Sequence, residues 1–429
     1  MKIDVSIGEA IDKYSILEIK SKKINDPIKN SEIIKEIGVL KEVCSYINDY
    51  LFFYNLLVYV NEKIWDITNE IKNLKSSDAS FSLLSNEIFE YNQKRFRIKN
   101  FFNLLCNSSL KEQKSYSSKC CKVIIKNEDI LVSKIPELYY LSIEYDFIYI
   151  ETNLSHQYIK SIFQSPTIIF SDSIETEINL SKYTIEKPLY SIFSLKSINY
   201  LAGGKMGDFI LSLSIICENF YKTGRKGNLY LCNYDLFSYG LEKSYNDTYE
   251  LIMSQPYISS FTIYKNESID INLTEWRNSQ LLYKANWREI YTDYYNISWG
   301  KHKWLFSEKH KDLDNTILIS TTSYRFPENM NYKDLIQTYK NKGNNVLYIS
   351  QSIDFYEDFM TRTSLSKDDI NFCQPSTFSE MCLMIHSCKL FIGNLSAPLA
   401  IAFAFHKEYI VAFSNTIDDI HNKNIFESF

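Results

Sequence analysis

A short glycine-rich turn is the segment of this sequence whose residue types best suit binding chemistry. It spans residues 203–208 (GGKMGD), follows the strand pattern of residues 198–202 and precedes an apolar helical pattern over residues 209–221. A helix that begins at such a turn presents free backbone N–H groups and the positive end of its dipole, which together bind anions. Three of the chain's 11 glycines lie here, which indicates a tight turn or a close approach of the backbone to a ligand. A plain strand-to-helix turn is the alternative.

Asp208 and Lys205 carry the charges of this turn. A carboxylate in the first turn of a helix is kept ionised by the dipole, which suits an electrostatic role or a base that removes a proton from a hydroxyl group. Acidic residues also occupy this position for helix stability alone, so both interpretations of Asp208 remain open. Lys205, with the backbone of Gly204 and Gly207, is the candidate for binding a phosphate group.

The same turn nearly matches the dinucleotide-binding pattern, because Ala202, Gly204 and Gly207 have its spacing. That pattern expects an acidic residue about 20 positions further on, where the second strand ends. This chain has Cys232 and Asn233 there, so an oxidoreductase that uses a nicotinamide cofactor is disfavoured. The Gly-x-x-x-x-Gly-Lys-Ser/Thr motif does not occur in the sequence, which excludes phosphate-loop NTPases.

Two further groups of polar residues follow strand patterns nearer the C-terminus. The strand of residues 316–320 leads into a loop with the sequence TTSYRFP, in which Thr322 and Arg325 are candidates for binding phosphate oxygens. Arg325 as a solvated loop residue is the alternative. The candidates of the second group are Asn394, Leu395 and Ser396, which lie between the strand of residues 390–392 and a helix with Pro398 in its first turn. The helix start suits a phosphate, and Asn394 can either bind sugar or ribose hydroxyls or cap the helix.

The elements around these candidates predict an α/β fold that follows a helical N-terminal part. Apolar residues recur at helical spacing up to about residue 105, and the seam from Leu57 to Leu74 predicts packing in a helical bundle. Strand and helix patterns then alternate, which predicts parallel sheets. The predicted domains are a helical domain, a small α/β unit or sheet extension, and two Rossmann-like domains, over residues 1–120, 121–192, 193–306 and 307–429.

Residues from about 195 to 415 resemble the heptosyltransferases, glycosyltransferases with two Rossmann-type domains in the GT-B arrangement. Gly207-Asp208 matches the Gly-Asp pair that supplies the catalytic aspartate in that family. Residues 320–327 match its small polar loop and basic tetrad, with Arg325 at the position of a basic phosphate ligand. Residues 392–402 resemble its Gly-x-Asp-Thr-Gly-x-x-His-x-Ala-Ala motif. Here the chain has Asn394, Leu395, Ser396 and Leu399 at the Asp, Thr, Gly and His positions.

The resemblance implies a metal-independent glycosyltransferase of the hexosyl or heptosyl class in polysaccharide biosynthesis. Asp208 would be the base, residues 193–306 the acceptor side and residues 307–429 the nucleotide-sugar side. The donor would be a nucleotide sugar and the acceptor a hydroxyl group of a glycan or a lipid-linked saccharide, with no cofactor. The alternative is a catalytically inactive scaffold or interaction protein that binds nucleotides or carbohydrates, which fits the changes at Asn394 and Leu399.

The N-terminal part resembles an uncharacterised family of small helical proteins, a domain of unknown function. The matching stretches are residues 6–20, 60–67 and 108–116. This resemblance implies no activity. Self-association through these helices and peripheral contact with a membrane that carries a lipid-linked acceptor remain open.

Composition excludes several classes of protein. The formal charge is −5 and the pI about 5.8, so nucleic acid is not an expected partner. Nine cysteines without a Cys-x-x-Cys pair indicate reduced thiols, and we expect a cytoplasmic protein without a signal peptide or membrane span. The six histidines show no metal-binding spacing, and Asp312-x-Asp314 precedes a strand instead of following one, so no metal is expected.

Overall fold

The computed structural model describes residues 4–75, 77–111, 118–170, 176–184, 197–234, 237, 240–309, 311–327, 330–414 and 422. The chain forms two compact units. One comprises Met1–Leu195 with Tyr221–Gly224, and the other comprises Lys196–Phe220 with Arg225–Phe429. The four-domain division stays a prediction, and its boundary at residues 192–193 lies outside the described residues, as do residues 112–116 of the third N-terminal motif.

The first unit begins with helices that pack through their apolar faces. These are α1 (Ile7–Lys23), α2 (Pro27–Val39), α3 (Cys44–Asp49), α4 (Leu51–Ile71) and α5 (Ala79–Leu105). The Ser6 hydroxyl accepts a hydrogen bond from the Glu9 N–H at 3.2 Å and so caps α1. Helix α4 packs against α1 and α5, and it buries Leu57 and Val60 completely. The predicted helical bundle is confirmed.

Charged residues of this bundle are paired across helices. Asp12 is 1% exposed, forms an ion pair with Arg95 and accepts a hydrogen bond from the Asn61 amide at 2.9 Å. Lys99 of α5 pairs with Glu9 at 2.7 Å. Glu9 and Lys13 are four residues apart on α1, a spacing that suits an ion pair, but the packing of α5 on α1 brings Lys99 to Glu9, and Lys13 pairs with Glu36 at 2.9 Å instead.

A four-stranded parallel sheet completes the first unit. Its strands are β1 (Cys120–Ile125), β2 (Phe147–Thr152), β3 (Ile168–Phe170) and β4 (Glu177–Asn179), in the order β3-β2-β1-β4. The helices are α6 (Glu128–Ser133), α7 (Ile135–Glu144) and α8 (His156–Ile162). The alternation of strands and helices and the parallel pairing predicted after the helical part are confirmed here.

The second unit contains two further parallel sheets. The first has β5 (Ile198–Ala202), β6 (Gly227–Leu231), β7 (Ile258–Ile263) and β8 (Ile271–Asn272), in the order β7-β6-β5-β8, with helices α9 (Met206–Thr223), α10 (Leu241–Met253) and α11 (Trp287–Tyr295). Helix α9 is apolar on nearly every side because it is enclosed. Two buried tryptophans fix it, since the Trp299 and Trp304 indoles donate to the carbonyls of Leu211 and Ile210 at 3.1 and 2.8 Å.

The other sheet has five strands in the order β11-β10-β9-β12-β13. They are β9 (Thr316–Ser320), β10 (Asn345–Ile349), β11 (Asn371–Cys373), β12 (Leu390–Gly393) and β13 (Tyr409–Val411). The helices are α12 (Tyr332–Asn341), α13 (Ile353–Thr363), α14 (Phe378–Ser387) and α15 (Ala397–Ala404). Strand β9 is buried along its whole length, as expected for a central parallel strand.

Both sheets of the second unit are Rossmann-like. In each, the strand order reverses beside the first strand, between β5 and β8 in one sheet and between β9 and β12 in the other. Ligands of open parallel sheets bind outside the carboxyl ends of the strands at such a reversal. The predicted fold class is confirmed, an α/β fold with a pair of Rossmann-like sheets after a helical N-terminal part. Among the helices that the structure describes, none is long and apolar enough to cross a membrane.

Candidate functional site

One cavity of about 520 Å³ lies at the carboxyl ends of both sheets of the second unit. Its walls come from the turn after β5, the segment after β8 and the loops after β9, β10 and β12. Seven of the residues predicted from the sequence line it: Lys205, Gly207, Asp208, Thr322, Arg325, Leu395 and Ser396. Gly204 and Asn394 are not among the lining residues and contact the residues that are.

The starts of α9 and α15 meet at this cavity. A Cβ atom placed on Gly207 would lie 3.5 Å from both the backbone N and the Cα of Ala397, the first residue of α15. Lys205 and Gly207 at one start, and Ser396 at the other, line the cavity. Two positive dipole ends with their free N–H groups therefore face the same space, an arrangement that favours an anionic ligand.

The glycines of the first turn also have structural reasons. Gly204 has φ +104°, a conformation that side chains rarely adopt. A Cβ on Gly203 would lie only 2.7 Å from the carbonyl oxygen of Cys232 at the end of β6. Gly203 therefore allows β6 to pack beside the turn, which accounts for one of the three glycines without any ligand.

Asp208 forms an ion pair with Arg277, a residue that the sequence analysis missed. Arg277 lies in a 3-10 turn (Glu275–Asn278) just after β8, and its guanidinium carbon is 4.3 Å from the ring centroid of Trp276. A Cβ on Gly204 would lie 3.2 Å from Nη2 of Arg277. Asp208 and Arg277 therefore lie in the segments that follow β5 and β8, the two strands between which the order of this sheet reverses. The only sequence signal for Arg277 is its position after a very short apolar run, and that signal is too weak to identify the residue as functional.

Asn394 is fully buried and holds the loop after β9 in place. Its side-chain amide donates to the carbonyl oxygens of Thr322 and Arg325 at 3.1 and 2.8 Å, and its side-chain oxygen accepts from the Thr322 N–H at 3.2 Å. Ser396, not Asn394, occupies the N-cap of α15. Direct binding of ligand hydroxyls by Asn394 stays a prediction, and the contacts assign its side chain to the positioning of Thr322 and Arg325.

Arg325 lies between this loop and the turn after β12. Its Nη1 donates to the carbonyl oxygen of Leu395 at 3.1 Å, and the side chain is partly exposed at the cavity. Leu395 is itself buried, so it contributes backbone more than side chain. The loop after β10 adds the polar wall residues Ser350, Gln351 and Ser352, which the sequence analysis did not identify.

The charges at the cavity favour an anion. Its described walls contain the three cations Lys205, Arg277 and Arg325 and the carboxylates of Asp208 and Asp247. Asp247 pairs with Lys243, which does not line the cavity, at 2.7 Å.

Tyr291 is buried behind the cavity wall. Burial raises the pKa of its phenol far above the ordinary value, and the negative charge of Asp208 raises it further by a smaller amount. Tyr291 is therefore neutral and cannot act as a base.

Across the described ranges of the chain, no group of three or more His, Cys, Asp and Glu residues could hold a metal ion.

Comparisons with known proteins give weak similarities. No model of a known protein family matches the chain, which leaves the resemblance of residues 1–120 to a helical family without support, and no curated protein matches it in sequence. Among solved structures, E. coli heptosyltransferase WaaC with ADP-2-deoxy-2-fluoro heptose is 10% identical, with 68% of this chain and 88% of that chain covered and a TM-score of 0.24.

Two other solved structures are similar at the same level. A glycosyl transferase of family 9 from Veillonella parvula is 10% identical over 71% of this chain and 84% of that chain, with a TM-score of 0.25. E. coli ADP-heptose lps heptosyltransferase II is 11% identical over 68% and 84%, also with a TM-score of 0.25. TM-scores of this size establish neither a shared fold nor a shared activity.

Proposed function

We propose that this protein is a metal-independent glycosyltransferase that moves a sugar from a nucleotide-sugar donor to a hydroxyl group of a glycan or a lipid-linked saccharide. The observation that carries the proposal is the single cavity at the reversal points of two Rossmann-like sheets. Each such point is a ligand site in its own right. Two of them on one cavity suit a reaction between two substrates.

The donor is assigned to the half with β9–β13. Its diphosphate would lie against Arg325, Thr322 and the start of α15, with Lys205 facing it from the other half. Guanidinium and backbone N–H groups bind phosphate oxygens strongly, and they stabilise the negative charge that grows on the leaving diphosphate. The polar loop of residues 350–352 is suited to the nucleoside.

The acceptor is assigned to the half with β5–β8, where Asp208 would act as the base. The acceptor oxygen forms a bond to the anomeric carbon, its proton passes to the Asp208 carboxylate, and the bond from that carbon to the diphosphate oxygen breaks. Arg277 pairs with the carboxylate and orients it from one side. The proton has to reach a carboxylate oxygen lone pair that the ion pair does not use.

A binding scaffold without turnover is the second candidate. The ion pair between Asp208 and Arg277 favours it, since a carboxylate held by a guanidinium is a weaker base than one held by neutral donors. The two candidates share the donor site and differ only in whether Asp208 accepts a proton.

Binding and turnover can be tested on one set of variants. We expect one member of a panel of nucleotide sugars to bind saturably, and Arg325→Ala to weaken its binding about tenfold through loss of a charged hydrogen-bond donor. Asp208→Asn is expected to keep this binding and to abolish transfer or donor hydrolysis. Matched controls are Lys333→Ala and Asp293→Asn, exposed positions outside the cavity. Binding without turnover in the wild-type protein would support the scaffold, and no binding by any nucleotide sugar would contradict both candidates.

A further inference from the structure

Two exposed tyrosines line the cavity from opposite halves. Tyr283 is 66% exposed and lies between the 3-10 turn with Arg277 and helix α11. Tyr324 is 63% exposed and lies in the 3-10 turn Ser323–Arg325 after β9. Large aromatic rings on a cavity wall that remain open to solvent are available to be covered by a ligand.

The backbone of Tyr283 is held in an unfavourable conformation. Its φ is +59°, in the left-handed region that residues other than glycine and asparagine seldom adopt. Turns on both sides impose it, because the Leu282 N–H donates to the Ser279 carbonyl at 3.1 Å and the Lys284 N–H donates to the Leu281 carbonyl at 2.9 Å. Backbone strain of this kind is frequent at ligand-binding sites.

The ring of Tyr283 is mostly exposed. Within the described part of the chain, this tyrosine makes no hydrogen bond, ion pair or aromatic contact. A glycine at this position would relieve the backbone strain, and a small polar residue would avoid the exposed ring. No polar or aromatic contact among the described residues explains the large side chain, and its place on the cavity wall supplies a functional reason.

The wall between Tyr283 and Asp208 has the composition of a saccharide site. Trp276 and Trp287 also line the cavity, and Arg277 follows Trp276 directly. A pyranose ring has a face of C–H groups that packs on an aromatic ring, and hydroxyl groups at its edge that bond to carboxylate and guanidinium groups. The aromatic side chains and the Asp208–Arg277 pair lie in the same half of the second unit, so one sugar ring can contact both.

We infer that Tyr283 and Tyr324 form a saccharide-binding subsite, in which the sugar ring of the acceptor stacks on Tyr283 with a hydroxyl group toward Asp208. The assignment to the acceptor, and not to the donor sugar, rests on the proposed function. Stacking on Tyr283 excludes water from one face of the acceptor, and Tyr324 covers it from the donor half. The strained backbone presents the ring to the ligand before binding, so little is lost in ordering it.

The experiment measures saccharide and nucleotide binding separately. The probes are the methyl glycosides of glucose, galactose and N-acetylglucosamine, observed by saturation-transfer NMR on the full chain with UDP or ADP present. We expect Tyr283→Ala to weaken glycoside binding about tenfold, the loss typical of one stacking ring, and Tyr283→Phe to retain it. Tyr324→Ala is expected to give a smaller loss of the same sign. The control is Tyr249→Ala, which removes a partly exposed tyrosine outside the cavity.

The outcomes separate this inference from the proposed function. An unchanged affinity for the glycosides in both alanine variants would overturn the subsite, as would the absence of glycoside binding to the wild-type protein. A loss of UDP or ADP affinity in Tyr283→Ala, with glycoside binding intact, would assign the ring to the nucleobase and also overturn it. Binding of a nucleotide sugar that depends on Arg325 would still support the proposed function in each of these cases.

Discussion

Among single residues, Asp208 owes its state to a partner far away in the sequence. Arg277 is 69 positions further on, and both side chains are only about one fifth exposed, so the ion pair is weakly screened by solvent. Removing the arginine would leave a partly buried carboxylate with one charged partner fewer. Arg325 is also held by a partner distant in the sequence. Asn394 binds the backbone carbonyl of Arg325 and so positions the loop, without contacting the guanidinium group. Partners that hold these candidate residues therefore matter as much as the residues themselves.

Tyr283 is the residue at which stability and function are expected to conflict. Replacing it with glycine relieves the left-handed strain, so we expect Tyr283→Gly to raise the free energy of unfolding by about 1 kcal/mol relative to Tyr283→Ala. Both variants lose the exposed ring, and alanine keeps the strain, which makes the two a matched pair. Urea denaturation at equal protein concentration measures the difference. Equal midpoints for the two variants would show that the backbone at this position is not strained.

For the elements, Gly203 in the turn after β5 and Gly207 in the first turn of α9 have different roles. A Cβ on Gly203 would approach the Cys232 carbonyl to 2.7 Å, a distance that forces β6 or the turn to move. A Cβ on Gly207 would meet Ala397 at 3.5 Å, an ordinary van der Waals distance. We expect Gly203→Ala to lower the free energy of unfolding by about 2 kcal/mol, because the methyl group overlaps the Cys232 carbonyl. Gly207→Ala lies in a helix with room for the methyl group, so we expect the free energy of unfolding to stay unchanged or to rise by up to about 1 kcal/mol.

The same two variants separate folding from binding. Gly207→Ala places a methyl group where the starts of α9 and α15 meet, so we expect it to weaken nucleotide-sugar binding while the protein stays folded. Gly203→Ala acts through the sheet and should lower the denaturation midpoint first. Thermal denaturation and titration with the bound nucleotide sugar measure both effects. If Gly207→Ala binds the donor as tightly as the wild-type protein, the helix starts do not contact it.

Strands with a clear apolar run could be predicted from the sequence, and the two-residue strand β8 could not. Strands β5, β9 and β12 are mostly apolar runs in which the last or the next residue is glycine or serine, so their carboxyl ends and the candidates beyond them were identifiable. Strand β8 has only two residues, and no periodicity can be read from so short a run. The sheet's reversal point, and with it Arg277, therefore stayed hidden. Tyr283 was missed because its conformation depends on backbone turns that the side-chain pattern does not encode.

For the molecule as a whole, the charge at the cavity predicts how the affinity for a nucleoside diphosphate responds to the removal of divalent metal ions. Two cationic side chains, Lys205 and Arg325, and two helix starts face the space assigned to the diphosphate, whereas Arg277 pairs with Asp208 and Asp247 pairs with Lys243 outside the cavity. Positive charge of this amount can neutralise a diphosphate without a divalent ion. The net charge of the chain is negative, so the attraction is local to the cavity and does not arise from overall composition.

We therefore expect EDTA to leave the dissociation constant of a nucleoside diphosphate within about twofold of its value in Mg²⁺, a difference that is below 0.5 kcal/mol. Isothermal titration in the two buffers measures it, and Arg325→Ala should bind weakly in both. An affinity that falls in EDTA and returns with Mg²⁺ would mean that the ion carries charge here assigned to protein groups. Comparing Arg325→Ala with the wild-type protein in EDTA then separates two explanations. If the variant still binds more weakly, Arg325 contacts the diphosphate and only an ion was missing. If both proteins bind equally weakly, the phosphate site is placed incorrectly.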